Sequence, residues 1–330
     1  MKKIIIVLAL FSCAALAFSA GSSEKQDELK IGISKIVKHP ALDAVEQGIQ
    51  DELKELGYAN VQYDLQDAAG DMNTASQIAN KFKFEKVNIA VGIATPTAIA
   101  LATNITDVPV VFTAVTDPVD AGLVDNLTSG KNNITGISDM TPVAEQIKML
   151  AKAVKIKSLG HVYTSGEPNA VRLAEIAKKT CEELGIEFIS TSVTNSSEVK
   201  NATEAIVGKV DGIYISTDNT VVSAIDALMQ VADAAGVPVI SADPTSATSY
   251  NILAAYGFDY YRMGRVTGRI IDRILKGEKP ASMPTTFLTD RNDLQLVVNL
   301  DVAKKLGIEL DPKLVNDADV IVENGEIKKK

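Results

Sequence analysis

The chain has no tryptophan, two histidines and two cysteines in 330 residues. A sugar site usually sandwiches its ligand between aromatic rings, so the missing tryptophan weighs against one. Two histidines and so few thiols cannot build a His/Cys metal cluster, and no cofactor is expected. Cys13 lies in the N-terminal leader. If it is removed or lipidated, Cys181 stands alone and no intrachain disulfide is possible. Cys181 shares a helical face with Ala174, Ala177 and Leu184, which suits a buried thiol. Basic clusters are also lacking. The formal net charge is −9 and the only run of cations is Lys328-Lys329-Lys330. A nucleic-acid partner is therefore excluded, because phosphate binding needs a concentrated basic surface. Phosphate-loop, dinucleotide and nucleophile-elbow motifs are all missing. His39 and His161 have no nucleophile at a diagnostic spacing, so no enzyme is expected.

The longest uninterrupted apolar run is Ile4–Phe11, behind the cations of Met1-Lys2-Lys3. It is too short to span a bilayer, and small residues come next at Ala15-Leu16-Ala17 and Phe18-Ser19-Ala20. Residues 1–28 thus read as an export signal and linker. Two cleavage patterns compete: a soluble periplasmic product, or a lipoprotein anchored through Cys13 of Leu10-Phe11-Ser12-Cys13, in which Phe11 fits poorly.

Beyond residue 28 the chain alternates strand and helix. Apolar residues Leu42, Val45, Ile49, Leu53 and Leu56 line one face of a helix that Gly57 ends. Residues 108–115 are apolar on both faces, as in parallel strands covered by helices on both sides. Helices are predicted near 72–83, at 168–184, 197–207, 220–235 and 259–276. "TDVPVVFTAVTDP" in the first half echoes "AGVPVISADPTS" in the second. Two similar α/β lobes are therefore expected: 29–138 plus 258–287, and 139–257 plus 288–330. The crossings fall near 138–142, 256–258 and 285–290.

In parallel sheets, ligands sit beyond the carboxyl ends of the strands. Nearly every strand here ends in polar residues. The first lobe supplies Ser34, His39, Thr95, Thr97, Thr116, Asp117 and Ser138. The second supplies Glu167, Asn169, Thr217, Asp218, Asn219 and Asp243. Helix caps and turns account for many such residues singly; their gathering at one end of both sheets is what suggests a site. Hydroxyls beside helix N-termini suit a carboxylate, and the carboxylates opposite suit an ammonium group. That pairing fits a zwitterion such as an amino acid, with Asp218 expected on the ammonium and Thr217 and Asn219 on the carboxyl end or capping the next helix.

"ISKIVKHPALDAVEQGI", "VFTAVTDPVDAGLV", "NITGISDMTP", "YTSGEPNA", "ISTDNTV" and "GFDYYRMGRVTG" resemble, in order and spacing, motifs of the ABC-transporter substrate-binding family associated with tryptophan, tyrosine and phenylalanine uptake. The similarity runs from about residue 30 to 307. It implies a type I periplasmic-binding fold, two Rossmann-like lobes with parallel-rich sheets on a hinge, and an aromatic amino acid in the cleft. It also implies a separate permease and ATPase as partners, and a monomer is expected. A sensory protein of the same fold, signalling to a membrane receptor, is the alternative; a binder of sugars or other small solutes is another.

Overall fold

A computed structural model describes residues 29–330. The leader, with Cys13, lies outside the described residues. Strand β1 (Lys30–Lys35) leads to α1 (Pro40–Glu55), whose Pro40 sits in the first turn, where no backbone donor is missed. The expected apolar face is buried through Leu42, Val45, Ile49 and Leu53, and Gly57 takes the positive φ of 95° that turns the chain away. Then come β2 (Gln62–Asp67), α2 (Met72–Phe84), β3 (Ile89–Ile93), α3 (Thr95–Asn104), β4 (Val110–Val115) and β5 (Ile134–Ser138). Every residue of β3, β4 and β5 is buried, which only helices on both faces allow.

The second series runs through α4 (Val143–Val154), β6 (Ser158–Thr164), α5 (Pro168–Leu184), β7 (Glu187–Val193), α6 (Val199–Val207) and β8 (Gly212–Ile215). The helix expected over 220–235 is two helices, α7 (Asn219–Ser223) and α8 (Ile225–Ala235). Ala224 leaves helical angles between them, with φ −111° and ψ 23°. The chain goes on through β9 (Val239–Ser241), α9 (Pro244–Ala247), β10 (Ala254–Phe258), α10 (Tyr260–Leu275), β11 (Thr286–Phe287) and β12 (Leu294–Asn299). It closes with α11 (Leu300–Leu306), α12 (Pro312–Asp317), β13 (Val320–Glu323) and β14 (Glu326–Lys329).

Two sheets result, ordered β11-β5-β4-β3-β1-β2 and β14-β13-β12-β10-β9-β8-β6-β7. All pairings in the first are parallel, and in the second only β10–β12 and β13–β14 are antiparallel. The chain passes between the sheets after β5, after β10 and after β11. Helix α10 returns to the first sheet and lies on α1 where Gly48 meets Gly264: a Cβ at Gly48 would stand 2.2 Å from the Tyr261 carbonyl oxygen. Arg265 and Arg269 of α10 also pair with Glu52 of α1. His161 is a core residue. It is fully buried in β6, stacks on Tyr163 and Tyr214, and meets the Tyr214 carbonyl through Nδ1 at 2.8 Å. Burial lowers its pKa to about 4. Cys181 is buried and free. No helix of the described residues is long and apolar enough to cross a membrane.

Candidate functional site

The strand ends of the two sheets face each other across a cleft with about 370 Å³ of empty space, part of it open to solvent. One wall carries His39, Ala41, Leu42, Ala114 and Thr116, with Asp139 and Tyr260. The other carries Asn169, Thr217, Asp218, Asn219, Val222 and Asp243. Seven of the residues picked from the sequence therefore line one cavity: His39, Thr116, Asn169, Thr217, Asp218, Asn219 and Asp243.

The local folding explains how each is held. Asp218 is fully buried at the N-cap of α7, where its Oδ1 accepts from Val221 N at 3.0 Å. It also accepts from Thr164 N at 2.6 Å and Thr164 Oγ1 at 2.8 Å, tying the end of β6 to the end of β8. Three donors thus hold the carboxylate that is expected, from the sequence, on the ligand ammonium. Burial, and then the charge of Glu167, push its pKa up to about 7. Glu167 lies behind this wall. Its oxygens accept from Asn219 Nδ2 at 2.6 Å, from Thr220 N at 3.0 Å and from Thr220 Oγ1 at 2.7 Å. It positions Asn219 and Asn169 and does not line the cavity. Asp243 caps α9 through Thr245 N at 2.9 Å.

Three first-lobe residues have structural duties. Thr97 Oγ1 donates back to the Ile93 carbonyl at 2.6 Å, so its hydroxyl is spent inside the turn that starts α3. Ser138 Oγ donates to Thr116 O at 2.9 Å and accepts from Met140 N at 3.1 Å, bracing the first crossing. Asp117 caps a turn through Val119 N and Asp120 N, and its Oδ2 lies 3.5 Å from Arg172 Nε of α5, an ion pair between the lobes. None of the three lines the cavity.

Ser34 and Thr95 are outside that lining as well, yet their hydroxyls are buried without a partner. They sit at the ends of adjacent strands, β1 and β3. Thr95 opens α3 after Ala94, whose φ of 79° and ψ of 155° belong to a region that glycine alone adopts readily. Ala94 N bonds Thr113 O at 2.9 Å, beside the cavity-lining Ala114, itself at φ 53°. Two strained alanines thus lie side by side where the first lobe meets the cleft.

His39 precedes α1, is half-buried, and feels the charge of Asp243 across the cleft. Burial outweighs that charge and lowers its pKa, so it faces the cleft mainly neutral. The site residue that sequence reasoning missed is Asp139. It comes directly after Ser138, is 3% exposed, and accepts from Tyr260 OH at 3.0 Å and Thr116 Oγ1 at 3.4 Å. Burial pushes its pKa up to about 6. Its position after a buried strand was the available signal. The apolar members Leu42 and Val222 gave none, since each also fits a helix's core face. No Lys or Arg lines the cavity, and no group of residues suited to a metal ion is found among the described residues.

Two parallel-rich lobes, three chain crossings and a polar cleft between strand ends define a binding protein of the type I periplasmic kind. The chain belongs to the ABC transporter substrate binding protein family, whose model matches residues 30–322. Such a protein works outside the cytoplasm, with a small-molecule ligand and a membrane transporter as partners. A curated relative, the tyrosine-binding protein of Clostridioides difficile strain R20291, is 32% identical over 298 residues, covering 88% of this chain and 85% of its own. A Streptococcus pneumoniae ABC domain solved in complex with L-Trp matches with a TM-score of 0.85 at 30% identity, covering 89% of this chain and all of its own. The ligand-free, open structure of an adhesive substrate-binding protein from Clostridium difficile matches with a TM-score of only 0.65, despite 34% identity and coverage of 89% and 99%. The present chain therefore stands closer in overall shape to the L-Trp complex than to the open form.

Proposed function

We propose that this protein captures an aromatic amino acid, tyrosine or tryptophan, between its lobes and delivers it to a permease driven by a separate ATPase. The observation that carries this reading is the cavity itself. It joins carboxylates to apolar Ala41, Leu42 and Val222, with no Lys or Arg among the described residues that line it. An ammonium group and an apolar ring suit such a lining, and the relatives that bind tyrosine and L-Trp support it. The ligand carboxylate would meet the unpartnered hydroxyls of Ser34 and Thr95 at the start of α3, where backbone N–H groups and the helix dipole favour an anion.

The lobes would comprise 29–138 with 258–287 and 139–257 with 288–330; the membership of the two sheets supports this division. Export through the leader, with or without a lipid on Cys13, fits delivery at the membrane face. Catalysis is not part of the reading: His39 lacks a nucleophile beside it, and the carboxylates of Asp218 and Asp243 are engaged as helix caps. Mass spectrometry of what purified protein releases on denaturation tests the proposal. Intact tyrosine or tryptophan, about one per chain, is expected. A sugar, or a chemically altered amino acid, would overturn it.

A further inference from the structure

We propose that Asp139 holds the ligand's ammonium group and gives up a proton to solvent as the ammonium arrives. The inference rests on the aromatic amino-acid reading and adds the residue and the proton linkage. Four acidic groups gather at or behind the cleft, but they are not equivalent. Asp218 and Asp243 cap helices through backbone N–H groups, and Glu167 accepts from Asn219 and Thr220. Asp139 caps nothing: α4, the next helix, is preceded by Pro142. Among the described residues its side-chain partners are the hydroxyls of Tyr260 and Thr116, the second at a long 3.4 Å.

A carboxylate so placed, 3% exposed and without a cation, is costly to keep ionised. The ionisable groups around the cleft offer no relief. Tyr260 of α10 donates a neutral hydroxyl, and Asp218 at α7 and Asp243 at α9, both pushed upward by burial, bring no positive charge, nor does Glu167 behind them. Burial holds the pKa of His39, before α1, below its ordinary value, which weakens it as a counter-charge. The empty site answers with a proton, in line with the upward shift of Asp139 to about 6. The filled site answers with the ligand's own cation. An ammonium brings three N–H donors. Asp139 can take one, and Asn169 Oδ1 and Thr217 Oγ1, buried without partners on the facing wall, can take the others. The exchange balances: the carboxylic acid loses its proton to solvent, the ammonium keeps all of its own, and the resulting ion pair is neutral.

Calorimetric titration with L-tyrosine and L-tryptophan, in buffers of different ionisation enthalpy, reads the exchanged proton directly. Near pH 5, close to one proton released per ligand is expected; near pH 8, almost none. Affinity should fall about tenfold per pH unit below the pKa of the empty site. Asp139→Asn should bind at least tenfold more weakly, release clearly less proton than the wild type near pH 5 and show a shallower pH slope. Tyr260→Phe, which keeps the ring, removes a donor that stabilises the carboxylate, so the midpoint should move to higher pH. A 3-arylpropionate lacking the amino group should release no proton. Normal affinity and unchanged proton release in Asp139→Asn would overturn the assignment of Asp139 and leave the aromatic amino-acid reading standing. So would an unmoved midpoint in Tyr260→Phe, the deciding variant should Asp139→Asn not fold. Failure of the wild type to bind either amino acid would overturn both.

Discussion

At the scale of single residues, the strand-end polar groups divide between those that line the cleft and those that hold the chain. Asp218 belongs first to the chain. Its raised pKa means the folded state binds a proton more tightly than the unfolded state, so its contribution to stability declines as pH rises from about 4 through about 7. Asp218→Asn removes that decline and keeps a good cap. Its melting temperature relative to wild type should therefore improve steadily between about pH 4 and 8; a gap independent of pH would contradict the buried, repelled carboxylate. Thr95, whose buried hydroxyl has no partner among the described residues, is proposed for the ligand carboxylate. Thr95→Val should weaken amino-acid binding by about 1–2 kcal/mol, the scale of a hydrogen bond to a charged group, and normal affinity in a folded variant would remove it from the site. The sequence can display a polar residue after a strand, as with Thr95, Thr97, Asp139 and Asp218. It cannot display which way the hydroxyl or carboxylate turns. Thr97 folds back on its own helix and Asp139 does not, and that difference is set by neighbours more than a hundred residues away, such as Tyr260.

Among the elements, the contact between α1 and α10 positions the site. Helix α1 presents Ala41 and Leu42 to the cleft, with His39 just before it, and α10 presents Tyr260. Gly48, Gly264 and Gly268 let the two backbones approach closely, since a Cβ at Gly264 would stand 2.2 Å from Val45 O. Gly48→Ala should push the helices apart and cost about 1–3 kcal/mol, as overpacking does. Chemical denaturation measures it, and an unchanged midpoint would contradict the close crossing. The existence of both helices is legible from periodic apolar residues and from Gly57. The break at Ala224 is not, because Val221, Val222, Ile225 and Leu228 keep a helical rhythm straight through it.

At the scale of the whole molecule, the sequence displays the doubled lobe through its echoing V-P-V strands, and the resemblance of its motifs supplies the hinge. The contact between lobes is the part it conceals. Asp117 and Arg172 meet across the cleft at 3.5 Å, both partly exposed to water, which limits the pair to about 1 kcal/mol or less. Arg172→Gln should therefore weaken binding by no more than about fivefold, by easing the closed form open. A loss of a hundredfold would place Arg172 on the ligand instead. The most direct test of the account is a calorimetric titration of ligand-stripped, refolded protein with L-tyrosine, L-tryptophan and, for contrast, leucine and a pentose. The account predicts saturable binding of one aromatic amino acid per chain and no comparable heat from the other two; a folded protein that ignores both aromatic amino acids would contradict it.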